Sequence, residues 1–107
     1  MRQRLLLLIC CIQLLAARAQ YNPDIAARAR AFAILGDPTR LTLLICIRAA
    51  GLISVSDLAA ATGFNDTTVS QALRYLRATE VVTTERDGRV IRYRLTESPV
   101  ADLLAHI

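Results

Sequence analysis

One stretch constrains the fold of this chain more than any other: residues 54–76, SVSDLAAATGFNDTTVSQALRYL. Ser56 is a residue type that caps a helix by accepting from a free N–H of the first turn. Gly63 can end that helix, because glycine adopts the left-handed conformation without penalty. Asn65 or Asp66 can then cap a second helix. Two short helices joined by so tight a corner predict a helix-turn-helix.

The second of these helices is predicted to be amphipathic. Four apolar residues recur at i, i+3, i+4 and i+7 and form one stripe: Val69, Ala72, Leu73 and Leu76. The opposite side carries small polar side chains and arginine, which can bond bases or phosphates. The residues predicted to contact DNA are Thr67, Thr68, Ser70, Gln71 and Arg74, with Arg77 near the backbone. Taken alone, the pattern fits an ordinary helical hairpin with a solvated polar face equally well.

Two β-branched runs follow and carry a strong hairpin signal. Val81–Arg86 and Arg89–Leu95 flank Asp87-Gly88, which suits a two-residue type I′ turn. A basic hairpin directly after such a helix is typical of a winged helix, whose wing reaches phosphates or a minor groove. The wing residues predicted to do so are Arg86, Arg89 and Arg92. A solvated hairpin with incidental charge is the alternative.

Two further helices are predicted before this unit. Ile25–Leu35 is rich in alanine, and Pro38–Ala50 can be capped by Asp37 and closed by Gly51. One side of the helix predicted over residues 25–35 carries Ile25, Ala29, Phe32 and Ala33. Near the other end, Ser98 and Pro99 predict the start of a last helix with the apolar residues Val100, Leu103, Leu104 and Ile107.

Residues 1–20, MRQRLLLLICCIQLLAARAQ, are strongly apolar and leave three interpretations open. The favoured one is a structural helix that packs on a partner subunit, which explains apolar residues on nearly every side. The second is a secretory or membrane segment, since a basic start precedes the apolar run. That run is shorter than the roughly 20 residues a membrane helix needs. The third is a start codon assigned too far upstream.

Length and charge narrow the class of protein. The 107 residues suffice for one domain, and the net charge of +4 comes from thirteen arginines and no lysine. A basic balance favours a polyanionic partner. A single histidine and the lack of an acidic cluster beside a nucleophile or glycine-rich loop argue against an enzyme. We therefore expect a cytoplasmic DNA-binding protein without a membrane partner.

The expected architecture is mainly α with a small β-hairpin. Residues 1–20 form an apolar helix at a dimer interface, with a signal-like segment as the alternative, and residues 21–107 form a winged helix-turn-helix domain. The last helix would be marginal alone, so its stripe needs a partner, and the apolar first helix is the obvious candidate. Together these helices predict a dimer seam.

Three segments, in this order, resemble the ArsR/SmtB family of winged-helix repressors. They are AFAILGDPTRLTLL (31–44), SVSDLAAATGFNDTTVSQALRYLR (54–77) and VVTTERDGRVIRYRL (81–95). The resemblance implies a homodimer whose first and last helices form the interface and whose recognition helices and wings bind a double-stranded DNA operator. It also implies repression of a nearby operon, relieved when an effector binds.

The metal sites of that family do not carry over by position. Ser54-Val55-Ser56 stands where many relatives have Cys-Val-Cys, and Glu97 and Pro99 where others begin a zinc-type site. Serine is a poor ligand for soft metals, and a tetrahedral site needs about four ligands. The remaining candidates for a thiophilic metal, metalloid or redox effector are Cys10, Cys11 and Cys46. Small apolar positions in helices are the simpler interpretation of all three.

Two functions of different classes follow. The favoured one is a sequence-specific, homodimeric transcriptional repressor that responds to an effector. The alternative is a membrane-tethered or exported winged-helix module that binds proteins, which would have no operator preference and would partition with membranes.

Overall fold

A computed structural model describes residues 2–21 and 23–107, with the side chains of residues 3–12 and 23–107. Asn22, which falls between the helices predicted over residues 1–20 and 25–35, lies outside these residues. The described residues form six helices and three strands: α1 (Arg2–Tyr21), α2 (Pro23–Leu35), α3 (Pro38–Ala50), β1 (Ile53–Ser54), α4 (Val55–Thr62), α5 (Asp66–Ala78), β2 (Val82–Asp87), β3 (Val90–Leu95) and α6 (Pro99–Leu104).

Local capping chemistry sets most of the helix ends. The Asp37 carboxylate accepts from the Arg40 N–H at 3.0 Å, one residue before Pro38 begins α3. Gly51, with φ +79°, closes α3. These ends agree with the sequence prediction, because each depends on residues within one turn of the helix end.

The turn between α4 and α5 is also confirmed. Gly63 is left-handed, with φ +78°, and its N–H donates to the Ala59 carbonyl at 2.9 Å. Asn65 caps α5 by accepting from the Thr68 N–H at 2.7 Å. Phe64 packs against the core at this corner.

The predicted cap of α4 is wrong by two residues. Ser54, not Ser56, accepts from the Asp57 N–H, at 3.2 Å, and α4 begins at Val55. Ser54 is also the last residue of β1, which pairs with β3 through Ser54↔Arg92. The strand holds Ser54 extended, which is the backbone conformation of an N-cap.

The sheet is antiparallel, with strand order β1-β3-β2. Asp87 pairs with Val90, so the turn of the β2–β3 hairpin has Gly88 and Arg89 at its centre. Gly88 has φ +62°, and Arg89 lacks a positive φ. A positive φ at the first central position belongs to a type II′ turn, so the predicted type I′ turn at Asp87-Gly88 is wrong by one residue.

An aliphatic core joins α2 to α6 and the sheet. Its buried members are Ala31, Ile34, Leu43, Leu44, Ile47, Leu58, Val69, Leu73, Leu76, Val81, Val82, Val100 and Leu104. The core lies directly behind the helix-turn-helix, so it fixes α5 against α3 and α4. The winged helix-turn-helix fold predicted from the sequence is therefore confirmed.

The last helix differs from the prediction in length and in partner. α6 ends at Leu104, and Ile107 is 62% exposed rather than part of a buried stripe. Val100 and Leu104 are buried against α2, not against the apolar first helix. The Arg48 guanidinium of α3 donates to the Leu104 carbonyl and so caps the end of α6.

The first helix, α1, lies outside this core. Its side chains from residue 3 to residue 12 are all exposed, and Leu5–Leu8 are 61–66% exposed. The chain measures 69 × 23 × 22 Å, a length consistent with a projecting helix of about 30 Å. Among the described residues, no helix combines the length and the hydropathy needed to cross a membrane.

Candidate nucleic-acid interface

The two faces of α5 separate as the sequence predicts. Val69, Leu73 and Leu76 have no exposed surface and anchor the helix in the core. The residues exposed on the opposite face are Thr67, Ser70, Gln71, Arg74 and Arg77. Thr68 is half-buried, and its N–H is used by the Asn65 cap. The core thus leaves a polar face with one amide, several hydroxyls and two guanidinium groups directed outward.

Three of these residues line a shared cleft with the wing. Ser70, Arg74 and Arg77 border an open cleft of about 540 Å³, closed on the wing side by Tyr93 of β3. Tyr93 is half-buried against the core and pairs with Ile53 and Thr84 on the neighbouring strands. Tyr93 was not among the residues predicted for the site, although the alternation of Tyr93 and Leu95 along the strand is a usable signal.

The charges on the wing are partly paired within the wing. Arg94 Nε lies 3.0 Å from Glu85 Oε1, and Arg92 Nε lies 3.9 Å from Asp87 Oδ2. Both acids and both arginines lie on one face of the hairpin, because Glu85 pairs directly with Arg92 and the pleat alternates. Arg86 and Arg89 are exposed at the tip. The tip is therefore the most basic part of the wing.

Arg40 connects the recognition helix α5 to α2. Its guanidinium donates to the carbonyls of Ile34 at 3.0 Å and Ala33 at 3.1 Å, which are among the last residues of α2. It also lies over the Tyr75 ring of α5, 4.5 Å from the ring centroid, in a cation–π contact. This role of Arg40 could not be predicted from local sequence patterns, because its partner Tyr75 is 35 positions away.

The cysteines do not gather into one site. Cys10 and Cys11 are exposed on α1, and Cys46 is half-buried against the core, as predicted for a small core residue. In the described part of the chain, no three His, Cys, Asp or Glu side chains form a group that could hold a metal ion. The Ser54 hydroxyl, at the position of the family's first cysteine, is occupied as the cap of α4.

Comparisons with known proteins agree with this architecture. The model of the MarR family matches residues 35–90. The biofilm growth-associated repressor of Xylella fastidiosa is 40% identical over 70 residues, which cover 65% of this chain and 60% of that protein. The SmtB homolog of Synechocystis, a transcriptional repressor, is 37% identical over 76 residues, which cover 71% of this chain and 57% of that protein.

A solved structure gives the same result over a larger share of both chains. The transcriptional repressor BigR from Xylella fastidiosa superposes with a TM-score of 0.73 at 32% identity. The superposition covers 83% of this chain and 87% of that one. By contrast, the matched segments span about 60% of the length of the curated relatives. The match to the family model, residues 35–90, includes all of α5 and, of the wing, β2 and the turn that follows it.

Proposed function

We propose that this chain is a sequence-specific transcriptional repressor. It belongs to the winged-helix regulators matched by the MarR family model and, among them, to the ArsR/SmtB family of repressors. The observation that carries the proposal is the exposed polar face of α5 beside a wing with a basic tip. A helix of this kind fits the major groove, and an arginine-bearing hairpin fits the adjacent backbone or minor groove.

The roles divide by side-chain chemistry. Gln71 and Arg74 are the base-reading candidates, because an amide can bond adenine and a guanidinium can bond guanine in bidentate fashion. Thr67, Thr68 and Ser70 bond bases or phosphates, and Arg77 contacts the backbone. On the wing, Arg86 and Arg89 are free at the tip to bind phosphates. Arg92 adds a further positive charge to the wing, and its guanidinium lies beside Asp87.

The proposed repressor is a homodimer in which α1 provides the seam. Leu5, Leu8, Ile9 and Ile12 follow one another at i, i+3, i+4 and i+7, and all are 44–63% exposed. On α2, Ile25 and Phe32 are 46% and 61% exposed on a single side. A stable interface needs roughly 800 Å² from each partner, and side chains of this size on two helices can supply an area of that order. A second copy presents the same apolar surface, so the seam is self-complementary.

We also propose that an effector relieves the repression. The protein acts in the cytoplasm, where an operator is accessible. Cys10 and Cys11 are the thiol candidates for a soft metal, metalloid or oxidant, because both are exposed on the helix assigned to the seam. Cys46 is the weakest candidate, since it packs against the core.

The test separates base reading from backbone contact. Operator and shuffled DNA are titrated against wild type, Gln71→Ala and Arg86→Ala at several salt concentrations. Gln71→Ala should cost about 1–3 kcal/mol on the operator and little on shuffled DNA. Arg86→Ala should weaken both and reduce the salt slope by about one unit. Gln3→Ala, the same change at an exposed glutamine of α1, is the control. Equal losses on both DNAs for Gln71→Ala would remove Gln71 from base reading.

A further inference from the structure

A second cleft lies between α2, the end of α5 and the start of α6. Its volume is about 410 Å³, within the range of small-molecule sites in proteins. Ala27, Ala31 and Ile34 of α2 form one wall, and Val100 of α6 lies among the other lining residues. The site is thus mostly apolar and large enough for a molecule of one ring.

The polar groups around this cleft differ in what they can offer a ligand. The Thr79 hydroxyl already donates to the Tyr75 and Leu76 carbonyls at 3.1 Å. The Ser98 hydroxyl accepts from the Ala101 N–H as the cap of α6. Arg30 contributes the only full charge among the lining residues, and it is positive. A guanidinium beside an apolar wall recognises a carboxylate that carries a hydrocarbon body.

We propose that this cleft binds a small carboxylate with an aromatic or aliphatic body, and that this ligand is the effector of the repressor. The effector role of the ligand depends on the proposed function. The carboxylate pairs with Arg30, and the hydrocarbon body packs against the α2 wall and Val100. A cation or a neutral polar molecule would lack this complementarity.

The proposed dimer seam leaves the cleft accessible. At 100° per residue, Ile25 and Phe32 lie on the side of α2 opposite Ala27 and Ile34. The first pair is exposed and assigned to the seam, whereas the second pair lines the cleft. A second copy on α1 and the outer side of α2 therefore does not occupy the site.

The cleft also touches the recognition helix, which gives it a route to DNA binding. Tyr75 of α5 and Thr79, the residue that caps the end of α5, line it, and Tyr75 directly follows the base-reading candidate Arg74. Arg40 stacks on Tyr75 and holds the end of α2. A ligand that contacts α2 and α5 together changes how the two helices pack, and it can favour an arrangement that binds the operator less well.

The binding test uses the full-length protein and isothermal titration with phenylacetate, 3-phenylpropionate and hexanoate. Phenylacetamide is the uncharged control for the ligand. At least one carboxylate should bind, and phenylacetate should bind about tenfold or more tightly than its amide. Arg30→Gln should remove this preference, whereas Arg28→Gln, an exposed arginine of the same helix outside the cleft, should leave it intact. Ala27→Leu should weaken the binding of all the ligands, because the larger side chain takes up space along the α2 wall.

The regulatory test repeats the operator titration with the bound carboxylate present. Operator affinity should fall about fivefold or more, and Arg30→Gln should keep operator binding but lose the response. If the operator is recognised but no carboxylate binds, or if Arg30→Gln binds it equally well, the cleft assignment is wrong and the repressor assignment stands. Binding through Arg30 without any operator preference supports the cleft and contradicts the repressor. Binding that leaves operator affinity unchanged overturns the effector role.

Discussion

The recognition helix α5 and the first helix α1 differ in how far their apolar side chains are exposed to solvent. In α5, Val69, Leu73 and Leu76 are fully buried, and the polar residues face outward. In α1, Leu5 to Leu8 are all more than 60% exposed. Burying a leucine is worth about 1.5–3 kcal/mol, so a folded chain rarely leaves several in water. The apolar side of α5 is buried within its own chain, whereas the described side chains of α1, residues 3–12, are all exposed.

The two helices should differ most in what their leucines contribute to the free energy of unfolding. Leu73→Ala should lower the free energy of unfolding by about 3 kcal/mol, because it leaves a cavity behind the recognition helix. Leu7→Ala, the same change on α1, should alter it by less than about 0.5 kcal/mol in dilute protein, since Leu7 is 66% exposed. Urea denaturation monitored by circular dichroism measures both. Similar losses for the two variants would mean that α1 packs within its own chain.

The second effect concerns self-association. Leu8→Glu places a charge within the apolar stripe of α1 and should weaken dimerisation about tenfold or more, because the carboxylate must be desolvated. Gln3→Glu adds the same charge outside the stripe and serves as the control. Sedimentation equilibrium over a range of concentrations gives the dissociation constants. A dimer that tolerates Leu8→Glu would place the seam elsewhere.

A smaller effect on stability is expected at the end of α5. Glu80 follows α5 with φ +62°, the positive value that favours glycine. Its N–H donates to Arg77 O at 3.1 Å, and the Val81 N–H donates to Leu76 O at 2.9 Å, which together form a Schellman motif. Glu80→Gly should therefore stabilise the fold by about 1 kcal/mol.

A matched control keeps the effect of Glu80→Gly interpretable. Glu97→Gly introduces glycine at an exposed position without a positive φ and should be neutral or destabilising. Thermal unfolding of both variants, compared at equal protein concentration, gives the difference. A destabilised Glu80→Gly would show that contacts of the Glu80 side chain outweigh the backbone strain.

Features that depend on a few neighbouring residues were predicted correctly from the sequence. The caps at Asp37 and Asn65, the end at Gly63 and the two faces of α5 each follow from chemistry within one or two helical turns. The exposed positions of Gln71 and Arg74 follow from the same periodicity. Their contacts with DNA remain a prediction.

The sequence could not predict features that depend on distant partners. The two-residue strand β1 is too short to leave a pattern, and its pairing with β3 moved the cap of α4 to Ser54. Gly88 can take either central position of a two-residue turn, and the pairing of Asp87 with Val90 places it at the first, with Arg89 at the second. The contacts of Arg40 with α2 and Tyr75 likewise exist only in the folded chain.

Operator recognition is measured directly by fluorescence anisotropy of the full-length protein on the DNA upstream of its own gene. A shuffled fragment of equal length and composition is the reference, at about 0.15 M salt because affinity depends steeply on ionic strength. If the protein is a sequence-specific repressor, it should bind the native fragment at least roughly tenfold more tightly. Equal affinity for the two fragments, or no binding to either, would contradict the repressor assignment.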